Sequence, residues 1–500
     1  MPNELRPLQA RGLTALSLDN RLAALGGTYG ATVVPTPLPE PKLIAFNPEA
    51  ATLIGLDPAA AKRPEFLEVM AGNRELPGAC NFATVYAGHQ FGVRVPQLGD
   101  GRALLIGQVR NERGELWDLQ LKGAGKTPYS RFGDGRAVLR STIREYLCGE
   151  ALAGLGIPTT RSLCMVGSPE PVQRETLESA AVLCRLSRSH LRFGHFEYFY
   201  YRRDFDALGP LADHVIAEYF PHLEHRDYAG WLAEVVVRTA RLVAQWQAVG
   251  FCHGVMNSDN MSILGLTLDY GPFGFMDAFD ATHICNHSDD HGRYAYDQQP
   301  VVASWNCSRL LQATLPLLNA DPDKSVEMAT GILAGFEPAF IAANLANWHA
   351  KLGLREVQHS DAELIDRWLQ VLHRSRVDFT NAFRLLAAVR ASDDSVPELR
   401  DHLLDLEGFD AWLPDYRARL RAEHSNDAER ATRMNAVNPR YVLRNHLAQQ
   451  AIEKAQAGDF AEIEILRRLL GKPYDQQPGM NAYAQPPPLG TTPLEVSCSS

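Results

Sequence analysis

The apolar positions of this 500-residue chain change period along its length. RALLIGQV (102–109) and WDLQLKG (117–123) are short apolar runs closed by glycine or turn residues, the pattern of paired strands. GRAVLRSTIREYLCGEALAGLG (135–156) then takes helical spacing, with Val138, Ile143, Leu147 and Leu152 near one face. Gly154, Gly156 and Pro158 are its stop signals. WLAEVVVRTARLVAQWQAVG (231–250) places Trp231, Val235, Leu242, Trp246 and Val249 on one stripe, and Gly250 suits a helix C-terminus. That helix leads straight into Phe251-Cys252-His253.

Around these elements the chain divides into five parts. Residues 1–80 are punctuated by proline and hold short helical pieces such as NPEAATLIGL, an N-terminal extension expected to pack on the next part of the chain. Residues 81–185 read as strands with one helix, 186–310 as mainly helical, and 311–470 as helical throughout with no catalytic-looking cluster. Residues 471–500 are rich in Pro and Gln and predict an extended tail. Strands followed by helices make the expected class α+β.

Charge and cysteine usage narrow the function. The net charge of −10, from 49 basic against 59 acidic residues, argues against a nucleic-acid partner. There is no run of 18 apolar residues, so no membrane span is expected, and the N-terminus lacks a secretory pattern. Eight scattered cysteines without a CxxC make no disulfide framework, and a reduced, cytoplasmic protein is the expectation.

The chemistry concentrates in HGVMNSDNMSILGLTLDYG, residues 253–271. A protein-kinase catalytic loop runs H-R-D-x-x-x-x-N and is followed by D-F-G. Here His253 and Asn260 keep the outer positions, and Asp269-Tyr270-Gly271 takes the D-F-G place. Where a kinase keeps its base stands Val255, and a carboxylate appears instead at Asp259. Upstream lie a glycine turn that lets backbone approach phosphate (Gly99, Gly101, with Arg102), a strand-ending Lys122 and a helical Glu145. In this order Lys122 and Glu145 match the ion pair that positions phosphate in kinases. Each is weak alone: a lone GDG is usually a hairpin turn, and a strand-ending Lys is usually solvated.

Other motifs carry less. Gly125-Lys126-Thr127 resembles the end of a P-loop, but the required earlier glycine is Gln120 inside a strand. Arg185 and Arg192 lie seven apart, which on a helix gives one solvated face. FGDGR (132–136) says only turn. His283, Cys285, His287, Asp289, Asp290 and His291 fit no trusted zinc spacing, and a polar loop is the better reading.

Over nearly its whole length the chain resembles the selenoprotein O family, the YdiU-type protein nucleotidyltransferases. The stretches that carry the resemblance are NFATVYAGHQFG, QLGDGR, QLKGAGKTPYSRFGDGRAVLRSTIREYL, GVMNSDNMSI, LDYGPFGFMD, NPRYVLRNHLAQ and EVSCSS. The resemblance implies a protein-kinase-like bilobal fold, with a small β-rich lobe in 81–185 and a larger helical lobe in 186–310. It implies ATP bound in reversed orientation and AMP transferred to Ser, Thr or Tyr hydroxyls of proteins, with pyrophosphate released; UTP is a possible second donor. It puts ATP contacts at Gly99, Gly101, Arg102, Lys122, Asp134, Gly135, Arg185, Arg192 and Asp269. Asp259 becomes the proton acceptor, Asn260 and Asp269 the ligands of Mg²⁺ or Mn²⁺, and Glu145 the partner of Lys122. No nucleic-acid or membrane partner is implied.

Two rival functions stay open: an atypical kinase moving the γ-phosphate, which Val255 disfavours, and an inactive nucleotide-binding scaffold, which the survival of the whole residue set disfavours. Some members of the family carry selenocysteine where this chain has Cys498. Cys285, on the loop after D-Y-G, and Cys498, on the tail, are candidates for a redox-sensitive disulfide; two unrelated thiols are the alternative.

Overall fold

A computed structural model of the chain describes residues 8–392, 398–488, 490 and 494–497. Nine strands form one antiparallel sheet: β1 (Gly30–Thr32), β2 (Lys42–Phe46), β3 (Phe82–Gln90), β4 (Val93–Gly99), β5 (Ala103–Arg110), β6 (Leu116–Lys122), β7 (Ala137–Val138), β8 (Arg161–Gln173) and β9 (Leu177–Ser187). The spatial order is β1-β3-β5-β6-β9-β8-β2, with β4 beside β3 and β7 beside β9. Helices dominate the rest, so the class is α+β as expected.

Both faces of the sheet are covered. Leu104, Ile106, Leu119 and Leu121 join Phe66, Val69 and Met70 of the N-terminal segment in one core. Leu105, Leu116, Met165 and Leu183 face the other way, into a core with Ile143 and Leu147 of the helix Leu139–Gly154. Burial on both faces explains why these strands read as continuous apolar runs rather than alternating ones. A third core, where Trp368, Trp412 and Tyr416 pack with their rings stacked, holds the C-terminal helices together.

The N-terminal segment does more than pack. β1 pairs with β3 and β2 pairs with β8, so residues 33–41, with prolines at 35, 37, 39 and 41, cross from one end of the sheet path to the other. This strap is fastened midway: Thr36 N donates to Ala124 O at 2.8 Å, and Arg136 donates to Thr36 O and Pro37 O at 3.0 and 2.6 Å. Short runs broken by proline hid both strands from a reading by period.

Two other expectations are corrected. Val138 belongs to β7, and the helix starts after it, at Leu139. Arg185 and Arg192 do not share a helix. Arg185 sits in β9 opposite Gln120 of β6, while Arg192 precedes the helix Phe193–Arg202. The stretch Pro322–Leu352 is long enough, and an 18-residue window within it apolar enough at mean hydropathy 1.3, to span a membrane by length and composition. It is broken into the helices Pro322–Leu333 and Phe336–Leu352, of 12 and 17 residues, each shorter than the roughly 20 residues a bilayer core requires.

The helix Tyr228–Val249 delivers the central motif. Asp227 caps it by accepting from Gly230 N at 2.8 Å. Gly250 ends it at φ 68°, a conformation a side chain would strain, and the chain turns into Phe251. Phe251–Cys252 then pairs with Gly274–Phe275, which brackets residues 253–273 between two fixed ends.

The described part of the tail is not detached. Tyr474 OH donates to Leu155 O at 3.0 Å, and Ala484 and Val496 are buried.

Candidate functional site

A cavity of about 770 Å³ opens between the sheet and the helical part, lined among others by Gly99, Arg102, Lys122, Arg185, Asp259 and Asp269. Its floor is a buried cluster of charges. Lys122 ends β6 and its Nζ meets Glu145 Oε2 at 2.5 Å. Arg185 Nη1 reaches Glu145 Oε1 at 3.2 Å and Asp269 Oδ1 at 2.5 Å, while its Nε donates to Gln120 Oε1 at 3.0 Å. Arg192 Nη1 donates to the other Asp269 oxygen, and Lys122 stands 3.6 Å from Asp269. The cross-strand register that sets Gln120 beside Arg185 is what brings Arg185 here.

Three cations thus face two carboxylates. Burial opposes the ionisation of Asp269, but the charges of Arg192, Arg185 and Lys122 outweigh it and hold this carboxyl well below its ordinary range. Glu145 is held low in the same way: burial opposes, and Lys122 with Arg185 wins. Burial in turn lowers the Lys122 ammonium, against the pull of Glu145 and Asp269. Asp269 also has φ 53°, an unusual backbone for a residue with a side chain.

The wall above is built differently. Asp259 lies in a short turn, Ser258–Asn260. Its Oδ2 accepts from Gln90 Nε2 at 3.2 Å, and its Oδ1 is buried without a hydrogen-bond partner. Burial pushes its carboxyl up to about 7, against the Gln90 bond and the Arg192 charge. Gly88 of β3 makes the room: a Cβ there would lie 2.5 Å from Asp259 Oδ1. Asn260 Nδ2 donates to Val255 O at 3.0 Å, which leaves the amide oxygen free to bind elsewhere. His253 is a buried strut, with Nε2 3.0 Å from Leu268 O and Nδ1 accepting from Val255 N at 3.3 Å. Burial lowers its pKa to about 4, which suits that neutral tautomer.

The rim is a pair of interlocked turns. Asp100 accepts from Thr84 N and Oγ1 at 2.9 and 2.6 Å, which fixes the Gly99–Gly101 turn. Gly101 packs so closely on the next turn that a Cβ would stand 2.9 Å from Tyr129 O. In that second turn Asp134 takes a two-pronged bond from Arg174 at 2.6 and 3.0 Å, and Gly135 has φ 79°.

Every cavity residue named from the sequence therefore lines or underlies this one space: Gly99, Gly101, Arg102, Lys122, Asp134, Gly135, Arg185, Arg192, Asp259, Asn260 and Asp269 line it, and Glu145 stands beneath. Sequence reading missed Gln90, Gln120, Tyr129 and Arg174. Gln90 lay inside YAGHQFG with no chemical flag, and Arg174 sits on a hairpin whose strands were not read.

Cys285 is half-buried, its Sγ 3.1 Å from Pro272 O and 3.4 Å from Cys252 O. Cys498 lies outside the described residues, but the tail comes close to this loop, where His287 N donates to Val496 O at 2.8 Å. Asp289 of the His-rich loop is occupied in the turn, accepting from Arg293 N and Tyr294 N at 2.9 and 2.7 Å.

The family profile described as "Protein adenylyltransferase SelO" matches residues 12–470. The protein of Methylococcus capsulatus named "Protein nucleotidyltransferase YdiU" is 56% identical over 504 residues, covering 100% of this chain and 99% of the relative. Proteins of the same name from Myxococcus xanthus and Thiobacillus denitrificans are each 54% identical over 492 residues, covering 98% of this chain and 99% of each relative. A match of that extent, along the whole chain and through every element of the cavity, means that the chain belongs to the protein adenylyltransferase SelO family.

Proposed function

We propose that this chain is a protein adenylyltransferase that moves AMP from ATP to Ser, Thr or Tyr hydroxyls of target proteins. The observation that carries the reading is the displaced carboxylate: Val255 stands where a kinase keeps its base, and Asp259 faces the same cavity beside a floor of three cations. In the step, the acceptor oxygen bonds to the α-phosphorus and the bond to the β-phosphate oxygen breaks. Pyrophosphate leaves with that electron pair, and the acceptor proton passes to Asp259. Phosphoryl-group chemistry asks the protein for positioning and charge neutralisation more than covalent work. Arg102, Lys122, Arg185 and Arg192 supply charge for the departing pyrophosphate, and the turns at Gly99–Gly101 and Asp134–Gly135 hold the nucleotide.

The sheet and the helical part act in this reading as the two lobes of a protein-kinase-like fold. Residues 81–185 form the body of the small lobe, whose sheet β1 and β2 of the 1–80 extension complete, and 186–310 the large lobe, with 311–470 and 471–500 as additions. The amide oxygen of Asn260 and the Asp269 carboxylate are hard oxygen donors and suit Mg²⁺ or Mn²⁺. Such a cation neutralises phosphate charge when bound. Asp269 is engaged by Arg185 and Arg192, so those guanidiniums turn to phosphate oxygens when the nucleotide and its cation enter. UTP is an alternative donor through the same phosphate contacts. The described cysteines are all free thiols, in keeping with work in the cytoplasm, and Cys285 with Cys498 remains the proposed redox pair.

The test is label transfer. ATP labelled at the α-phosphate should label protein, γ-labelled ATP should not, and mass spectrometry should find AMP on a hydroxyl side chain. Label arriving from the γ-position alone would restore the kinase reading.

A further inference from the structure

The end of β3 meets the Asp259 turn residue by residue. His89 N donates to Ser258 Oγ at 2.7 Å, Gln90 Nε2 to Asp259 Oδ2 at 3.2 Å, and Phe91 N to Asn257 Oδ1 at 3.2 Å. Both ends of this seam are anchored. His89 Nδ1 lies 2.7 Å from the buried Glu197 Oε2, and Tyr294 OH both donates to Asn257 Oδ1 at 2.6 Å and accepts from Phe91 N at 2.8 Å. Two of the three bonds use backbone N–H groups, of His89 in β3 and of Phe91 just past its end, and would form with many side chains in those places. Only the middle one uses a β3 side chain, and it falls on the carboxylate.

Among the described residues the only other hydrogen bond to that carboxylate comes from Asp259's own backbone N–H. Its Oδ1 is buried and unpartnered against Gly88, so the Gln90 amide is the one side-chain donor that selects its rotation. An oxygen holding a single donor keeps a lone pair for a second, and Gln90 lines the same cavity as Asp259.

We propose that Gln90 is a positioning residue for the transfer reaction: it locks the Asp259 side chain so that the free lone pair of Oδ2 faces the acceptor hydroxyl. The inference rests on the reading of Asp259 as proton acceptor. Gln90 takes no proton and holds no phosphate in this role. It acts through Asp259 alone, on turnover and not on nucleotide binding.

The full-length enzyme tests this with Gln90→Met, which keeps length and removes the donor, and with the near-isosteric Gln90→Glu, which keeps shape if the methionine variant folds poorly. Both should lower kcat for AMP transfer by about 10- to 100-fold, the scale of a lost hydrogen bond to a charged group, with ATP affinity by calorimetry unchanged. In an Asp259→Asn background, Gln90→Met should change the residual single-turnover rate by less than about twofold, since residues acting as one unit are not additive. Parent-like kcat in both Gln90 variants, a rise in KM for ATP at constant kcat, or a full further loss in the Asp259→Asn background overturns the proposal. Failure of the underlying reading looks different: Asp259→Asn would then itself turn over at the parent rate. An impaired Asp259→Asn beside Gln90 variants at the parent rate defeats the Gln90 inference alone.

Discussion

Two carboxylates ten residues apart in the chain line one cavity, and the protein treats them in opposite ways. Asp269, on the floor, is surrounded by Lys122, Arg185 and Arg192 and is held ionised. Asp259, on the wall, has one amide donor, a buried unpartnered oxygen and a pKa pushed up to about 7. A carboxylate wrapped in cations is a poor base and a good anchor. One that burial makes basic is ready to take a proton near neutral pH. In the proposed reaction the two regions separate holding charge from moving a proton, and each can be broken without the other.

The largest effect is expected on the floor. Asp269→Ala leaves Arg185 and Arg192 as buried charges without their shared partner, and breaking such a cluster costs about 3–5 kcal/mol. Urea unfolding should show that loss, and AMP transfer should fall below detection with weakened ATP binding. Unchanged stability would mean that Asp269 does not hold the cluster together. Asp259→Asn comes next: kcat should fall about 10²–10⁴-fold with ATP affinity preserved. A large loss of ATP affinity there would erase the distinction between floor and wall.

Gly88→Ala probes the wall from behind. The new Cβ would lie 2.5 Å from Asp259 Oδ1, so the carboxylate must shift, and kcat should fall by about 10- to 100-fold while the floor still binds ATP. ATP affinity and label transfer measured on the same preparation decide it.

The smallest effect is a signature in stability against pH. The Asp259 carboxyl has its folded pKa raised to about 7 from an ordinary 3.8. Between those values the folded chain keeps a proton that the unfolded chain has lost, so this group's contribution to stability declines as pH rises from about 4 to about 7. Asp259→Asn should remove that decline, gaining on the parent protein at pH 8 and not at pH 4. Asp269 has the opposite sign. Its depressed pKa contributes stability that is full above 3.8 and lost as pH falls below it, so Asp269→Ala should blunt the acid limb. Thermal melts from pH 3 to 8 would separate the two.

Much of this was legible because it is local. The strands at 103–110 and 116–122 and the helix at 228–249 announce themselves by period and by stop residues. The spacing of His253, Asn260 and Asp269 sits in one short stretch bracketed by a two-strand pairing. What failed was non-local. Arg185 and Arg192 are spaced like helical neighbours, but SAAVLCRLS is a strand buried on both faces, and no period distinguishes such a run from a buried helix. They converge through Asp269, a contact that depends on the register of β6 against β9. Gln90 and Arg174 touch the cavity only because a strand end and a hairpin turn happen to reach it. The strands of the N-terminal strap depend on partners far along the chain.

That strap has a consequence for how the molecule is born. Leu43 waits for Val166 and Gly30 for Thr84, so segments that leave the ribosome early cannot seat until strands made much later exist. Long-range pairings of this kind close slowly, because the loop entropy is lost before the contacts are made. The strap and the strands it joins are therefore among the last elements to lock. Until they do, Arg136, next to the Asp134–Gly135 turn, lacks the Thr36 and Pro37 carbonyls it grips in the finished protein. A nascent chain would complete the rim of its cavity only when this strap closes over the sheet.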